Sequence, residues 1–312
     1  MRVVFFGTPQ FAAECLEYLL NHQVDVVAVI TKPDKPQGRS LALVPTPVKC
    51  IALAHTPPLP LFQPEIVSDL TFAPVLQQFE ANLFVVVAYG EILKQHLLDM
   101  PKVACINLHA SLLPKYRGAA PIQRCLINGE KETGVTIMHM AKKMDAGDII
   151  TMERVAIPPN MNYAELEAAL CKTGKELLLK TIRDFETATP SRTPQDHEAA
   201  TLAPKIEVTD CKIDWQQPAH VIHNLIRGVT PHPGAWCYAS IKGEQKRLKI
   251  TATQIAEENS HNEPGTLLNT SKQGIIIGCK KGSLLITHLQ LEGKKATSAV
   301  EFIRGFPQLT LH

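Results

Sequence analysis

The stretch RVVFFGTPQFAAECLEYLLNHQVDVVAVI, residues 2–30, holds two apolar runs rich in β-branched residues, RVVFF (2–6) and VDVVAVI (24–30), separated by a segment of helical length, FAAECLEYLLNH (11–22). Short apolar runs without polar alternation read as strands buried on both faces. The pattern recurs downstream: LFVVVA (83–88) and ACINLH (104–109) are of the same kind, and EIVSDLTFAPVLQQF (65–79) again has helical length. Strands alternating with helices predict an α/β fold with a parallel sheet covered on both faces. Ligands of such sheets bind beyond the carboxyl ends of the strands, near the switch point of the winding.

The turn FFGTPQF has only one glycine of the G-x-G-x-x-G pattern, and a proline stands where backbone must approach a pyrophosphate, so a nicotinamide cofactor is not expected. A tight strand-to-helix turn explains Gly-Thr-Pro fully, with Thr8 as helix N-cap and Pro9 at the first helical position.

The 312 residues are 45% hydrophobic and 20% charged, enough for a sizeable core and for two domains. The N-terminal run lacks the basic flank and cleavage site of an export signal, and no segment reaches the roughly 18 unbroken apolar residues of a membrane span. A cytoplasmic location is therefore expected. Eight cysteines, at 15, 50, 105, 125, 171, 211, 237 and 279, form no close pair and read as reduced thiols, not ligands or disulfides. Residues 1–200 carry 19 Lys and Arg against 21 Asp and Glu (−2), and 201–312 carry 13 against 9 (+4). The basic C-terminal third permits contact with a polyanion without demanding it.

Beyond residue 188 the pattern changes. ATPSRTPQDHEAATLAPK (188–205) has three prolines and almost no large apolar residues, the composition of a linker. One helical segment follows, PAHVIHNLIRG (218–228), and then short strand candidates, AWCYASI, RLKITAT, GIIIGCK and SLLITHLQL, which suggest a small barrel or curled sheet. The expected boundaries are 1–189 for the first domain, 190–205 for the linker and 206–312 for the second domain.

Polar chemistry gathers where the apolar run ACINLH ends. Asn107 and His109 are two apart on a strand and so share a face. The loop that follows, SLLPKYRGAAP (111–121), combines prolines, a glycine and two cations, and MDAGDII offers Asp145 in a turn before the next strand. Asn, His and Asp without a Ser or Cys nucleophile suggest direct attack of a substrate amine on a carbonyl carbon. The Asn amide donates to the developing oxyanion, the imidazole stabilises it or moves a proton, and the carboxylate orients the imidazole. An α-amino group has a pKa of about 8, so no strong base is needed. Asn in the place of a further His or Glu ligand argues against zinc, and no metal is expected.

INLHASLLPKYRGAAPIQRCLINGEKETGVTIMHM with MDAGD resembles the signature of the folate-dependent formyltransferases. FFGTPQFA, TKPDKPQGR followed by PTPVK, VVVAYGEIL, IDW (213–215) and LEGKKATS extend the resemblance over nearly the whole chain, toward the branch acting on methionyl-tRNA. The resemblance implies a Rossmann-like parallel-sheet formyltransferase domain followed by a smaller OB-like β-barrel domain that binds tRNA. It also implies transfer of a formyl group from 10-formyltetrahydrofolate to the amino group of methionine on initiator tRNA, supporting translation initiation, by a monomer. By motif, Asn107, His109 and Asp145 are the catalytic trio, Ser111, Leu112, Leu113 and Pro114 line the folate site, and Tyr89, Gly90 and Ile92 lie by the pterin pocket.

The proline-rich 32–49 loop meets the tRNA acceptor end in this family, and Arg39 holds its arginine position. Leu41 and Ala42 stand where family members tend to carry lysines, which predicts a weaker phosphate attraction there. Lys205, Lys242, Lys246, Arg247 and Lys249 are expected to compensate. Lys115 and Arg117 are open to either a ligand role or solvation. The rival readings are a glycinamide ribonucleotide formyltransferase, a sugar-nucleotide or other small-amine formyltransferase, and a non-catalytic RNA-binding relative. The extra hundred residues, the long loop and the intact trio weigh against each in turn.

Overall fold

The computed structural model describes residues 1–37, 42–188, 190–241, 243–306 and 309–312. Its elements run β1 (Val3–Gly7), α1 (Gln10–Asn21), β2 (Val26–Ile30), β3 (Lys35–Gln37), β4 (Ala42–Val44), α2 (Pro47–Ala54), β5 (Leu61–Phe62), α3 (Ala73–Gln77), β6 (Leu83–Val87), α4 (Gln95–Leu98), β7 (Ala104–His109), α5 (Pro121–Ile127), β8 (Glu132–His139), β9 (Ile149–Ala156) and α6 (Tyr163–Thr187). They continue α7 (Ala219–Gly228), β10 (Ala235–Ile241), β11 (Glu244–Glu257), β12 (Leu267–Thr270), β13 (Ile275–Gly278), β14 (Ser283–Leu291), β15 (Thr297–Ser298), α8 (Ala299–Gly305) and β16 (Thr310–Leu311). No helix among the described residues is long and apolar enough to cross a membrane.

The chain folds as two compact units that exchange segments. One holds 1–118, 133–155 and 167–202; the other holds 119–132, 156–166 and 203–312.

The first unit is built on a seven-stranded sheet of order β5-β2-β1-β6-β7-β8-β9, parallel from β5 to β7 and antiparallel between β7 and β8. The winding reverses between β1 and β6, the arrangement of a Rossmann-like α/β sheet. Every residue of β1 and β6 is buried, because helices cover both faces. Gly174 in α6 lies against Leu108 of β7, at a spacing where a Cβ would sit 3.1 Å from the leucine methyl.

Two local expectations are corrected. Segment 65–79 is helical only over Ala73–Gln77. Pro74 is compatible only with the start of a helix, and the residues before it hold other bonds: Asp69 Oδ1 accepts from Thr71 N (2.8 Å) and Ser68 Oγ donates to the Ile92 carbonyl (3.1 Å). Thr8 does not cap α1; the cap position is Pro9, and the Thr8 hydroxyl instead donates to the carbonyl of Tyr89 at 2.9 Å. A long-range partner at the mouth of the sheet thus replaces the local one.

The second unit is a curled antiparallel sheet of order β12-β13-β14-β11-β10-β16, with β15 beside β14. Repeated register shifts between β11 and β14 bend the long strand β11. Its core joins Trp215 with Ile222 and Ile226 of α7 and with Leu248, Ile250, Ile286 and Leu289 of the strands. Seven of the eight cysteines are buried, all are free thiols, and Cys50 alone is exposed.

Candidate active site

β7 carries the first two candidate side chains to the carboxyl end of the sheet. Asn107 pairs in register with Met138, and His109 with Thr136, so both present the same face. Asn107 is half-buried, and its amide has no hydrogen-bond partner among the described residues, which leaves a free donor at the strand end. His109 is 6% exposed. Its Nε2 lies 2.9 Å from the carbonyl of Tyr116. A carbonyl only accepts, so Nε2 carries a proton and Nδ1 is left to face the remaining partner.

That partner is Asp145, whose Oδ2 stands 3.7 Å from Nδ1. The acid sits in the turn between β8 and β9 with φ +50°, a left-handed conformation rare outside glycine. Its Oδ2 also accepts from the Gly118 amide at 2.8 Å. Tyr116, which holds the imidazole, is itself at φ +61°, and Ala88 at the end of β6 is at +45°. Three of the five left-handed residues other than glycine among those described therefore cluster at one strand-end region. Such strain persists where surrounding contacts over-determine it.

The loop after His109 is tied down from within. Ser111 is fully buried, and its hydroxyl donates to the Lys115 carbonyl (2.7 Å). The Thr136 hydroxyl donates to Ser111 O (2.7 Å) and accepts from Leu113 N (3.2 Å). Leu113 is 3% exposed, while Leu112 and Pro114 are half-buried. Arg117 is turned inward, its guanidinium donating to Gln195 Oε1 at 2.6 and 3.1 Å, whereas Lys115 is exposed.

Just past the end of β6, Tyr89 is buried with its hydroxyl unpartnered among the described residues, and burial together with nearby Glu91 pushes that phenol upward from its ordinary range. Gly90 has φ +86°, and a Cβ there would meet nothing within 4 Å, so open space adjoins this turn. Ile92 is exposed. Glu91 secures the turn by accepting from Lys32 Nζ at 2.6 Å and from Val67 N at 2.9 Å. The open space beside Gly90 and the exposed Ile92 offer one edge on which a flat ligand could lie.

Residues 1–182 match the family model described as formyl transferase, and residues 205–307 match the one for the formyl transferase C-terminal domain. The chain belongs to the formyl transferase family. It is 61% identical to methionyl-tRNA formyltransferase of Protochlamydia amoebophila over 98% of this chain and 95% of the relative. Against methionyl-tRNA formyltransferase of Chlamydia pneumoniae it is 45% identical, over 98% and 96% of the two chains. In fold it is similar to the N-formyltransferase from Helicobacter canadensis solved with folinic acid and dTDP-3-aminofucose, with a TM-score of 0.67 and 22% identity over 91% of this chain and 97% of that one.

The cations singled out in the sequence divide in this formyl transferase. Arg39 and Lys242 lie outside the described residues, as does Leu41. Lys205 is exposed but paired with Glu207 at 3.1 Å, and Lys246 is paired with Glu244 at 2.8 Å. Arg247 and Lys249 share the outer face of the curled sheet with Tyr238 and Trp236, their register partners on β10. The Arg247 guanidinium lies 3.9 Å from the Trp236 ring centroid, and Lys212, which the sequence reading passed over, is 5.8 Å from that of Tyr238. Lys249 Nζ donates to the Pro233 carbonyl at 2.7 Å.

Gln195 is buried, at 6% exposure. It lies in the stretch with a linker's composition, which still connects the two units but is bonded into the first: Thr193 exchanges backbone hydrogen bonds with Ile149, and Arg117 N donates to Thr201 O at 2.9 Å. A Gln among prolines carries no local signal of burial.

Proposed function

We propose that this chain transfers the formyl group of 10-formyltetrahydrofolate to the α-amino group of methionine carried on initiator tRNA, as a cytoplasmic monomer. The observation that carries this reading is the approach of Asp145 to His109 beside the free amide of Asn107, in a chain 61% identical over nearly its full length to a methionyl-tRNA formyltransferase. Residues 1–189 perform the chemistry, and 206–312, reached through the 190–205 connection, contribute to holding the tRNA.

The neutral amine attacks the formyl carbon, and the carbonyl oxygen becomes an oxyanion. The Asn107 amide donates to that oxygen. His109 has a protonated Nε2 fixed on a carbonyl and an Nδ1 directed at a carboxylate, so the proton lost by the amine is received within the His109–Asp145 pair. Collapse breaks the bond from carbon to N10 of the folate, which takes up a proton as it leaves. Tyr89, Gly90 and Ile92 edge the pterin side. Ser111, Leu112, Leu113 and Pro114 form the facing wall, through main chain at Ser111 and Leu113, whose side chains are enclosed. Arg39, Lys205, Lys246, Arg247 and Lys249 are the cations assigned to tRNA.

The test supplies 10-formyltetrahydrofolate with charged initiator tRNA, charged elongator tRNA and small amines including an amino sugar nucleotide, and follows formyl transfer. Preferential formylation of the initiator is expected. Equal transfer to the small amines refutes the reading.

A further inference from the structure

Two loops hold the catalytic pair: 111–118 presents the Tyr116 carbonyl to His109, and 140–148 presents Asp145. Each contains a left-handed residue other than glycine, and each would relax if released. One buried side chain touches both. Gln195, 6% exposed, accepts from Arg117 Nε at 3.1 Å and Nη2 at 2.6 Å on its Oε1, and donates from Nε2 to the carbonyls of Asp145 (3.0 Å) and Gly147 (2.7 Å). The orientation of the amide is dictated by chemistry, since guanidinium groups only donate and carbonyls only accept. Turned over, it would set donors against donors and acceptors against acceptors. Both donors and the acceptor oxygen are satisfied, away from water.

The connectivity gives this amide leverage. Asp145 is held at its side chain by the Gly118 amide and at its main chain by Gln195. His109 is held by Tyr116, whose neighbour Arg117 ends on the same glutamine. The 3.7 Å spacing of the pair thus depends on a residue contributed by the chain far beyond both loops.

We propose that Gln195 is a positioning residue for formyl transfer, setting the distance between Asp145 and His109 while touching no substrate. The inference rests on the reaction proposed above. Gln195→Glu separates the functions of this side chain: a carboxylate keeps Arg117 and improves its charge complement, but offers no hydrogen to the carbonyls of Asp145 and Gly147. Displacement of a reacting group by about 1 Å costs on the order of 100-fold, so kcat is expected to fall about 10- to 100-fold. The KM values for methionyl-tRNA and for the formyl donor should stay within about twofold, because no binding group has moved.

The experiment measures kcat and both KM values for wild type, Gln195→Glu and Gln195→Asn, with thermal unfolding of each. It also records the imidazole nitrogen signals of His109 by NMR on histidine-labelled protein. A folded variant with lowered kcat, unchanged KM and displaced His109 signals supports the assignment. Unchanged kcat in a folded variant overturns it, as does a loss carried by KM or an unmoved His109 spectrum. Failure of both variants to fold overturns it in favour of a purely structural role. If the wild type itself does not formylate methionyl-tRNA, the reaction assignment fails, and the His109 spectrum alone decides whether Gln195 sets the pair.

Discussion

The carboxylate of Asp145 reaches to 3.7 Å from His109 Nδ1 while its Oδ2 also accepts from the Gly118 amide. The acid is therefore held by the backbone of the same loop that holds the imidazole. Chemistry that needs a placed proton site is served by that shared anchoring.

On the reaction proposed above, Asn107→Ala removes the side-chain amide assigned to the oxyanion. Loss of such a donor lowers kcat by about 100- to 1,000-fold, with tRNA affinity nearly unchanged. Single-turnover formylation and a separate tRNA binding titration check this. Weakened binding with normal turnover at saturation contradicts the role.

Gly147→Ala tests the turn from its other end. A Cβ at 147 would collide with the carbonyl of His139, and main chain cannot yield as a flexible side chain can. Overpacking of this kind costs about 1–3 kcal/mol, so the unfolding temperature should drop. The turnover of the folded fraction should drop as well, because Asp145 lies two residues away. A variant with reduced stability and normal kcat would show that the turn tolerates displacement.

Burial lowers the affinity of two histidines for protons, His139 with help from the Arg192 cation and His223 with help from Arg227. In the unfolded chain both titrate near about 6.5. Between that value and their lower folded values the unfolded state binds more protons, so stability rises with pH there. Denaturant unfolding should show full stability above about pH 7 and a decline as pH falls below about 6.5. His223→Gln should flatten part of that slope; an identical slope in the variant excludes His223 as a source.

Thiol accessibility follows from burial alone. Desolvation pushes the thiols of Cys105, Cys237 and Cys279 up to about 12, and Cys50 is the exposed cysteine. Native protein should therefore react with a thiol reagent at one site, located at Cys50 by peptide mapping, and at all eight on unfolding. Rapid modification of a second cysteine under native conditions would show that its burial is transient.

On the curled sheet, Arg247 and Lys249 flank Trp236 and Tyr238, whereas Lys205 and Lys246 are each paired with a glutamate. Replacing both Arg247 and Lys249 by Ala should reduce the slope of log affinity for tRNA against log salt by about two, and replacing Lys205 and Lys246 should reduce it less. Binding measured across a salt series distinguishes the two pairs of cations. Equal slopes for both double variants and the wild type would remove this sheet from tRNA contact.

The apolar runs at 2–6, 24–30, 83–88 and 104–109 sufficed to specify a parallel α/β sheet, because burial on both faces writes itself into consecutive residues. The Asn107–His109 pair was equally legible, since a strand period of two places both side chains on one face. Motif resemblance carried Asp145 to the same site, but its approach to His109 came only with the turn that holds it at φ +50°. Thr8 bonding Tyr89 instead of capping α1, the short α3, the inward turn of Arg117 and the burial of Gln195 were likewise decided by tertiary structure. Each of these side chains has a local partner or solvent available in its own sequence. Which partner wins depends on donors and acceptors delivered from distant segments, where exclusion of water makes an unmatched polar group too costly to leave.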